Sequence, residues 1–342
     1  MNRYSRVARY SFLAALFFSW VIALHPRVGA SAPAGDERFS NAAGFPIDVD
    51  PALPPAFTNC SDQDSIPVPE CQALVALYES TGGEGWSESA GWLKDVNPCH
   101  WAFVVCTYNP GSVAAPRYNV TRLNLNWNNL SGPLPAELGN LENLLFLYLN
   151  GNQFSGPLPP ELGNLDAMLE LHLNNNQFSG PLPAELGGLE NLAILELSDN
   201  QFSGPLPAEL GNLEYLESLY LSGNDLSGSL PAAWGNLHNL NWLIVRDNPL
   251  SGRLPHELTQ LNLNIFDFRA TNLCEPIDSE FQVWLGTIPY LFSSGVECVP
   301  LGRIYLPLLI CCHSFTIRFS SSLSFAGNST AAVTYRSPRS SP

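Results

Sequence analysis

The chain has 342 residues, 45% hydrophobic and only 13% charged, so its solubility must lean on Asn, Ser, Gly and a strong acidic excess. With a net charge of −16 at pH 7 and Lys94 as its single lysine, it would be repelled by phosphate backbones, which excludes nucleic acid as a partner. Residues 1–30 open with Arg3, Arg6 and Arg9, run through an apolar stretch from Ser11 to Leu24 and end on small residues, the order of a secretory signal peptide. The apolar stretch falls short of the ~20 residues that span a bilayer, so no membrane span is expected there. Cleavage would remove four arginines and no acid, making the exported chain more acidic still.

Residues 31–69 are rich in Pro and Ala with scattered acids, which reads as an extended linker. At Glu70 the character changes. Leu74, Leu77 and Tyr78 fall on one helical stripe, Gly82 and Gly83 supply a stop, and Trp86, Trp92 and Trp101 follow closely. Residues 70–119 read as a plug for whatever comes next.

What comes next is a repeat. From Val120, Leu144, Met168, Leu192, Leu216 and Leu240 the chain restates LxxLxLxxNxLSGxLPxELGNLxx every 24 residues, and a degenerate seventh unit with Phe266, Phe268 and Thr271 closes the run at 273. Such a period means a solenoid: each unit is too short to bury its apolar face alone, so neighbours stack into a continuous core. One elongated domain, rather than two or three globular ones, is the expected organisation. The LxxLxLxx portion alternates like a strand with one buried face, which predicts a parallel sheet of seven strands.

The repeat positions divide by role. Asn128, Asn152, Asn176, Asn200, Asn224 and Asn248 follow the strands, where a carboxamide that both donates and accepts would satisfy buried turn backbone as a stacked ladder. The SG glycines permit the sharp turn, the LP prolines start the return leg, and Leu130, Phe154, Phe178, Phe202, Leu226 and Leu250 form a core spine. The return leg hardly varies between copies, whereas the outward strand positions change in every copy. Uniform positions serve the scaffold; varied ones are free to serve a ligand.

The outward columns hold Arg122, Phe146, Glu170, Ile194, Ser218, Trp242 and Ile265; then Asn124, Tyr148, His172, Glu196, Tyr220, Ile244 and Asp267; then Asn126, Asn150, Asn174, Ser198, Ser222, Arg246 and Arg269. Aromatic enrichment around Glu170, His172 and Glu196 points to a recognition patch, with Arg122, Phe146, Tyr148, Tyr220, Trp242 and Arg246 as its other members. Two carboxylates and an imidazole on adjacent strands are also what metal binding or acid–base chemistry needs, but an open sheet lacks a water-excluding lid. Neither a metal, a cofactor nor catalysis is therefore expected. HELTQ at His256 carries half of a zinc signature and falls on the repeat's xEL slot, so it reads as scaffold.

The sequence from Cys71 to Leu130, with ALVALYESTGGEGW, GWL, PCHWAFVVC and the first LxLxxNxLSGxLP, resembles plant-type leucine-rich-repeat ectodomains. Similar chains include receptor-like kinase ectodomains, polygalacturonase-inhibiting proteins and secreted bacterial proteins. The resemblance spans roughly Cys60 to Cys298 and implies an α/β solenoid, a right-handed superhelix with a parallel concave sheet and disulfide-closed caps at residues 70–119 and 274–298. Phe103 departs from it, standing where the family has glycine. Sequence proximity and the caps suggest pairing of Cys60 with Cys71, Cys99 with Cys106, and Cys274 with Cys298. Residues 299–342 read as a Ser/Thr-rich tail. The function expected is secreted, non-enzymatic recognition of a protein, peptide or cell-wall polysaccharide through the concave face. The alternative is an adhesive cell-surface spacer held by the tail.

Overall fold

The computed structural model of the protein describes residues 57–109 and 118–298. The expected signal peptide, most of the linker and the 299–342 tail lie outside the described residues. Each LxxLxLxx segment is a strand: Tyr118–Asn124, Phe146–Tyr148, Glu170–His172, Ile194–Glu196, Ser218–Tyr220, Trp242–Ile244 and Ile265–Asp267. Neighbours pair in parallel with equivalent positions opposed, Arg122 beside Phe146, Phe146 beside Glu170, and so on to Trp242 beside Ile265. The leucine columns enforce this register, because a slip of one residue would turn every leucine toward water. Leu123, Leu147, Leu171, Leu195, Leu219 and Leu243 are fully buried.

The sheet has nine strands, not the seven expected. Val104–Tyr108 pairs antiparallel with the first repeat strand, and Tyr290–Phe292 pairs parallel with the last. Both additions cover a repeat edge that would otherwise present unpaired N–H and C=O groups. The helix Val68–Ser80 instead covers the apolar end, with Cys71, Leu74 and Leu77 buried beneath it. Tyr78, Trp86, Trp92 and Trp101 pack into one aromatic cluster, and Phe57 meets the Trp101 ring edge-on at 5.3 Å. Ile66, in the stretch read as linker, is buried in the same core. At the other end Asp278 caps the helix Ser279–Leu285 by accepting from Phe281 N at 2.9 Å, and Phe281, Trp284 and Leu285 close the core.

The three disulfides join Cys60 to Cys71, Cys99 to Cys106 and Cys274 to Cys298. Phe103, the departure from the family pattern, has φ 66°. The backbone keeps the left-handed shape that glycine adopts freely, and phenylalanine carries the strain.

The asparagine ladder is continuous. Asn152 donates to Leu125 O and Leu149 O and accepts from Asn128 N and Leu130 N, at 2.8 to 3.1 Å. Asn176, Asn200, Asn224 and Asn248 likewise donate to Leu149, Leu173, Leu197 and Leu221 of the preceding coil, and each accepts from one backbone N–H there. The first rung ties the cap to the repeats, since Asn128 exchanges hydrogen bonds with both backbone groups of Glu88. Beyond the ladder, the turn segments pair as a second parallel sheet of five strands, from Ser131–Gly132 to Asp225–Ser227. Phe154, Phe178 and Phe202 stack beneath it with ring centroids 5.5 and 6.0 Å apart. Each LP proline then leads into a five-residue 3₁₀-helix on the return leg.

Two glycine columns have different causes. Gly156 has φ 80° and open space where a Cβ would stand, so its need is conformational. In the ELG column there is no room: a Cβ on Gly139 would lie 2.5 Å from Glu161 O, and Gly163, Gly187, Gly211 and Gly235 face the next coil's carbonyl at least as closely.

Candidate functional site: the concave face

The strand alternation that buries the leucines sends the first and second outward columns to the concave face. Phe146, Tyr148, Glu170, His172, Glu196 and Tyr220 are half-buried there, while Arg122, Trp242 and Arg246 are exposed. Near the N-terminal end the Arg122 guanidinium sits 4.5 Å over the Phe146 ring. Tyr148 packs edge-on against His172 at 5.0 Å and donates its hydroxyl to Glu170 Oε2 at 2.7 Å. His172 Nε2 lies 3.4 Å from the same oxygen. That approach is an electrostatic contact rather than an aligned hydrogen bond, so the buried Nε2 has no hydrogen-bonding partner among the described residues. Further along, Tyr220 and Trp242 meet edge-on at 6.0 Å.

The two carboxylates differ in kind. Burial pushes the Glu170 carboxyl up, but His172, the Tyr148 hydroxyl and the Arg122 charge outweigh it and hold the group below its usual range. Burial also pushes Glu196 up, and its contacts with Ser198 and the nearby His172 only partly offset that. Burial raises both phenols, Tyr220 to about 12, so they stay protonated donors at neutral pH.

A carboxyl whose folded pKa is raised contributes stability that is complete below its unfolded value and lost as pH rises through the folded one. Glu196→Gln should therefore melt with the wild type at pH 4 and above it at pH 7. Thermal melts of both chains across that range check the sign; a constant offset would remove the argument.

Two features of this face were not expected. Tyr290 and Phe292 extend the columns past Ile265 and Asp267, because the C-terminal cap contributes a strand. Asp267, although in an outward column, is buried and holds Arg269 by two hydrogen bonds of 3.0 and 2.7 Å. Arg246 is tied to Asp247 at 3.1 Å and leans toward Asp267 at 3.8 Å. No group of three or more metal-ligating side chains with metal-holding geometry occurs among the described residues.

Repeat, ladder and capped sheet together define a plant-type leucine-rich-repeat solenoid presenting a varied concave surface. The Leucine Rich Repeat family profile matches residues 119–141, 143–165, 168–189, 191–213 and 215–237. Among solved structures, the PEPR1–AtPEP1 complex is similar at 28% identity, covering 66% of this chain and 31% of that chain, with a TM-score of 0.57. The Arabidopsis receptor kinase HAESA, solved with the peptide hormone IDA and the co-receptor SERK1, shares 34% identity over 51% of this chain and 29% of that one, with a TM-score of 0.46. The ectodomain of the receptor kinase SOBIR1 from Arabidopsis thaliana shares 26% over 62% and 98%, with a TM-score of 0.42. The chain thus spans about a third of the length of the first two. No curated protein matches it.

Proposed function

We propose that this is a secreted, non-enzymatic recognition protein whose concave face binds an extended peptide or protein segment. One observation carries the reading. Two aromatic pairs, Phe146 with Tyr148 and Tyr220 with Trp242, flank the Glu170, His172 and Glu196 cluster on an open sheet, while the rest of each repeat is nearly invariant between copies. Grouped aromatics on one surface mark an interaction site, and apolar anchors around a few polar groups supply most of the energy of a typical interface. The similar PEPR1 structure was solved with AtPEP1, which supports a ligand-binding role for this repeat type. The three disulfides and the signal-peptide pattern support export, because such bridges persist in oxidising compartments.

Peptides selected on the full chain from a random display library supply the probe. The double variant Tyr220→Ala/Trp242→Ala should bind them at least about a hundredfold more weakly, two anchors at ~2 kcal/mol each, with circular dichroism unchanged and a cooperative melt that stays above the assay temperature. Unaltered affinity would sink the concave-face assignment. Tyr148 is left out because its hydroxyl also holds Glu170.

A further inference from the structure

Beside the aromatic and acidic patch, toward the C-terminal ends of the strands, lies a strip that the peptide reading does not use. In each repeat the residue just before the ladder asparagine is left-handed. Gly151, Asn175, Asp199, Gly223, Asp247 and Ala270 hold this place in the later copies, with φ between 52° and 71°. Glycine, asparagine and aspartate tolerate that conformation best. The first copy instead carries Trp127, at φ 54° and 69% exposed.

A bulky side chain in this region costs roughly 1–2 kcal/mol, and so exposed a ring recovers little by burial. Its position is nevertheless defined. Trp127 N donates to Asn150 O at 3.0 Å, and the indole lies against the backbone of Gly151 so closely that a Cβ there would overlap it. One ring face is therefore backed by the next repeat, and the other is open.

The column beside it holds Asn126, Asn150 and Asn174, all half-buried. Asn126 accepts from Asn150 N at 3.0 Å, leaving its amide NH₂ available. The side chains of Asn150, Asn174 and Asn175 make no hydrogen bond within the protein among the described residues. Successive rungs are ~4.8 Å apart, as in any parallel sheet, a spacing close to one hexopyranose in an extended chain. The strip from Asn126 and Trp127 to Asn174 and Asn175 contains no ionisable side chain, in a protein whose net charge is −16.

We infer that Trp127 and the amides of Asn126, Asn150, Asn174 and Asn175 form a separate binding strip for a linear, neutral polysaccharide. A carboxamide donates and accepts at once, matching a hydroxyl that does the same. The indole face matches the C–H face of a pyranose. Charge complementarity disfavours the rivals: a basic peptide gains nothing from uncharged amides, and an acidic glycan is repelled by the chain as a whole. The inference stands apart from the peptide reading because it shares none of that reading's residues.

Affinity electrophoresis of the full chain through gels containing soluble β-glucan, xylan or galactomannan tests it, with polygalacturonate as the acidic control and titration of the matching hexasaccharide as the quantitative readout. The wild type should be retarded by at least one neutral polymer and not by polygalacturonate. Trp127→Gly should weaken hexasaccharide binding by about tenfold or more while its melting temperature holds or rises, because glycine suits φ 54°. Asn150→Ala/Asn174→Ala should also weaken it, and Tyr220→Ala/Trp242→Ala should leave it unchanged. Absence of retardation on all three neutral polymers overturns the inference, as does Trp127→Gly binding like the wild type. Loss of glycan binding in Tyr220→Ala/Trp242→Ala would overturn the separateness of the strip without touching the peptide result.

Discussion

Asn152→Leu should cost the protein about 4 kcal/mol, although leucine matches asparagine in size and suits a buried position. The side chain serves Asn128 N–H, Leu130 N–H and Leu125 C=O, and none of these has another hydrogen-bonding partner in the ladder. Leu149 C=O is spared because Asn176 also donates to it. Three buried backbone groups left unpaired at roughly 1–3 kcal/mol each exceed anything the added methyl groups return. Stability in a solenoid is approximately a sum of repeat and nearest-neighbour terms, so the damage should concentrate between the first two repeats. Urea unfolding followed by tryptophan fluorescence reads the loss, and hydrogen exchange locates it at residues 125–130. A melting temperature within a degree of the wild type would mean that water replaces the carboxamide, and the ladder would lose its structural role.

Gly187→Ala is the second large effect, and it concerns a single methyl group. The new Cβ would overlap the Glu209 carbonyl of the following coil and crowd its Cβ. Both obstacles belong to a neighbour held by its own core leucines, so relief requires the repeats to move apart. Overpacking of this kind costs typically 1–3 kcal/mol, about 3–10 °C in melting temperature for a domain of this size. Gly156→Asn is the control, because asparagine tolerates positive φ and no atom lies within 4 Å of the added Cβ. If the two variants melt alike, crowding is not what selects glycine in the ELG column.

The two glycine columns also show where reading from sequence stops. Both recur every 24 residues and look equivalent as text. The SG column is recognisable as a turn, because a glycine after a strand and before a proline implies a special φ. The ELG column is selected by the distance between successive coils, a quantity absent from any one copy of the repeat.

The concave face divides in the same way. Its columns were legible because a period of two within a period of 24 leaves one register that buries every leucine. What the side chains do there was not. Glu170 and Glu196 occupy equivalent kinds of position, yet one is held by Tyr148 beside His172 and the other rises with burial. Trp127 was not singled out from the sequence: its exposure and its contact with Gly151 appear only once the coils are stacked.

The sequence by itself determined the solenoid, the register of seven strands and the asparagine ladder, and it suggested the three disulfide pairs that the structure contains. Repetition at fixed spacing leaves one way to stack apolar faces and satisfy buried backbone. Only the tertiary structure decided that cap strands cover both repeat edges, that the ELG glycines are crowded by the next coil, that Arg246 and Arg269 cover Asp267, and that the Trp127 ring lies against its neighbour. Each of these depends on the distance between chain segments from different repeats or caps, and a repeat read alone contains no such distance.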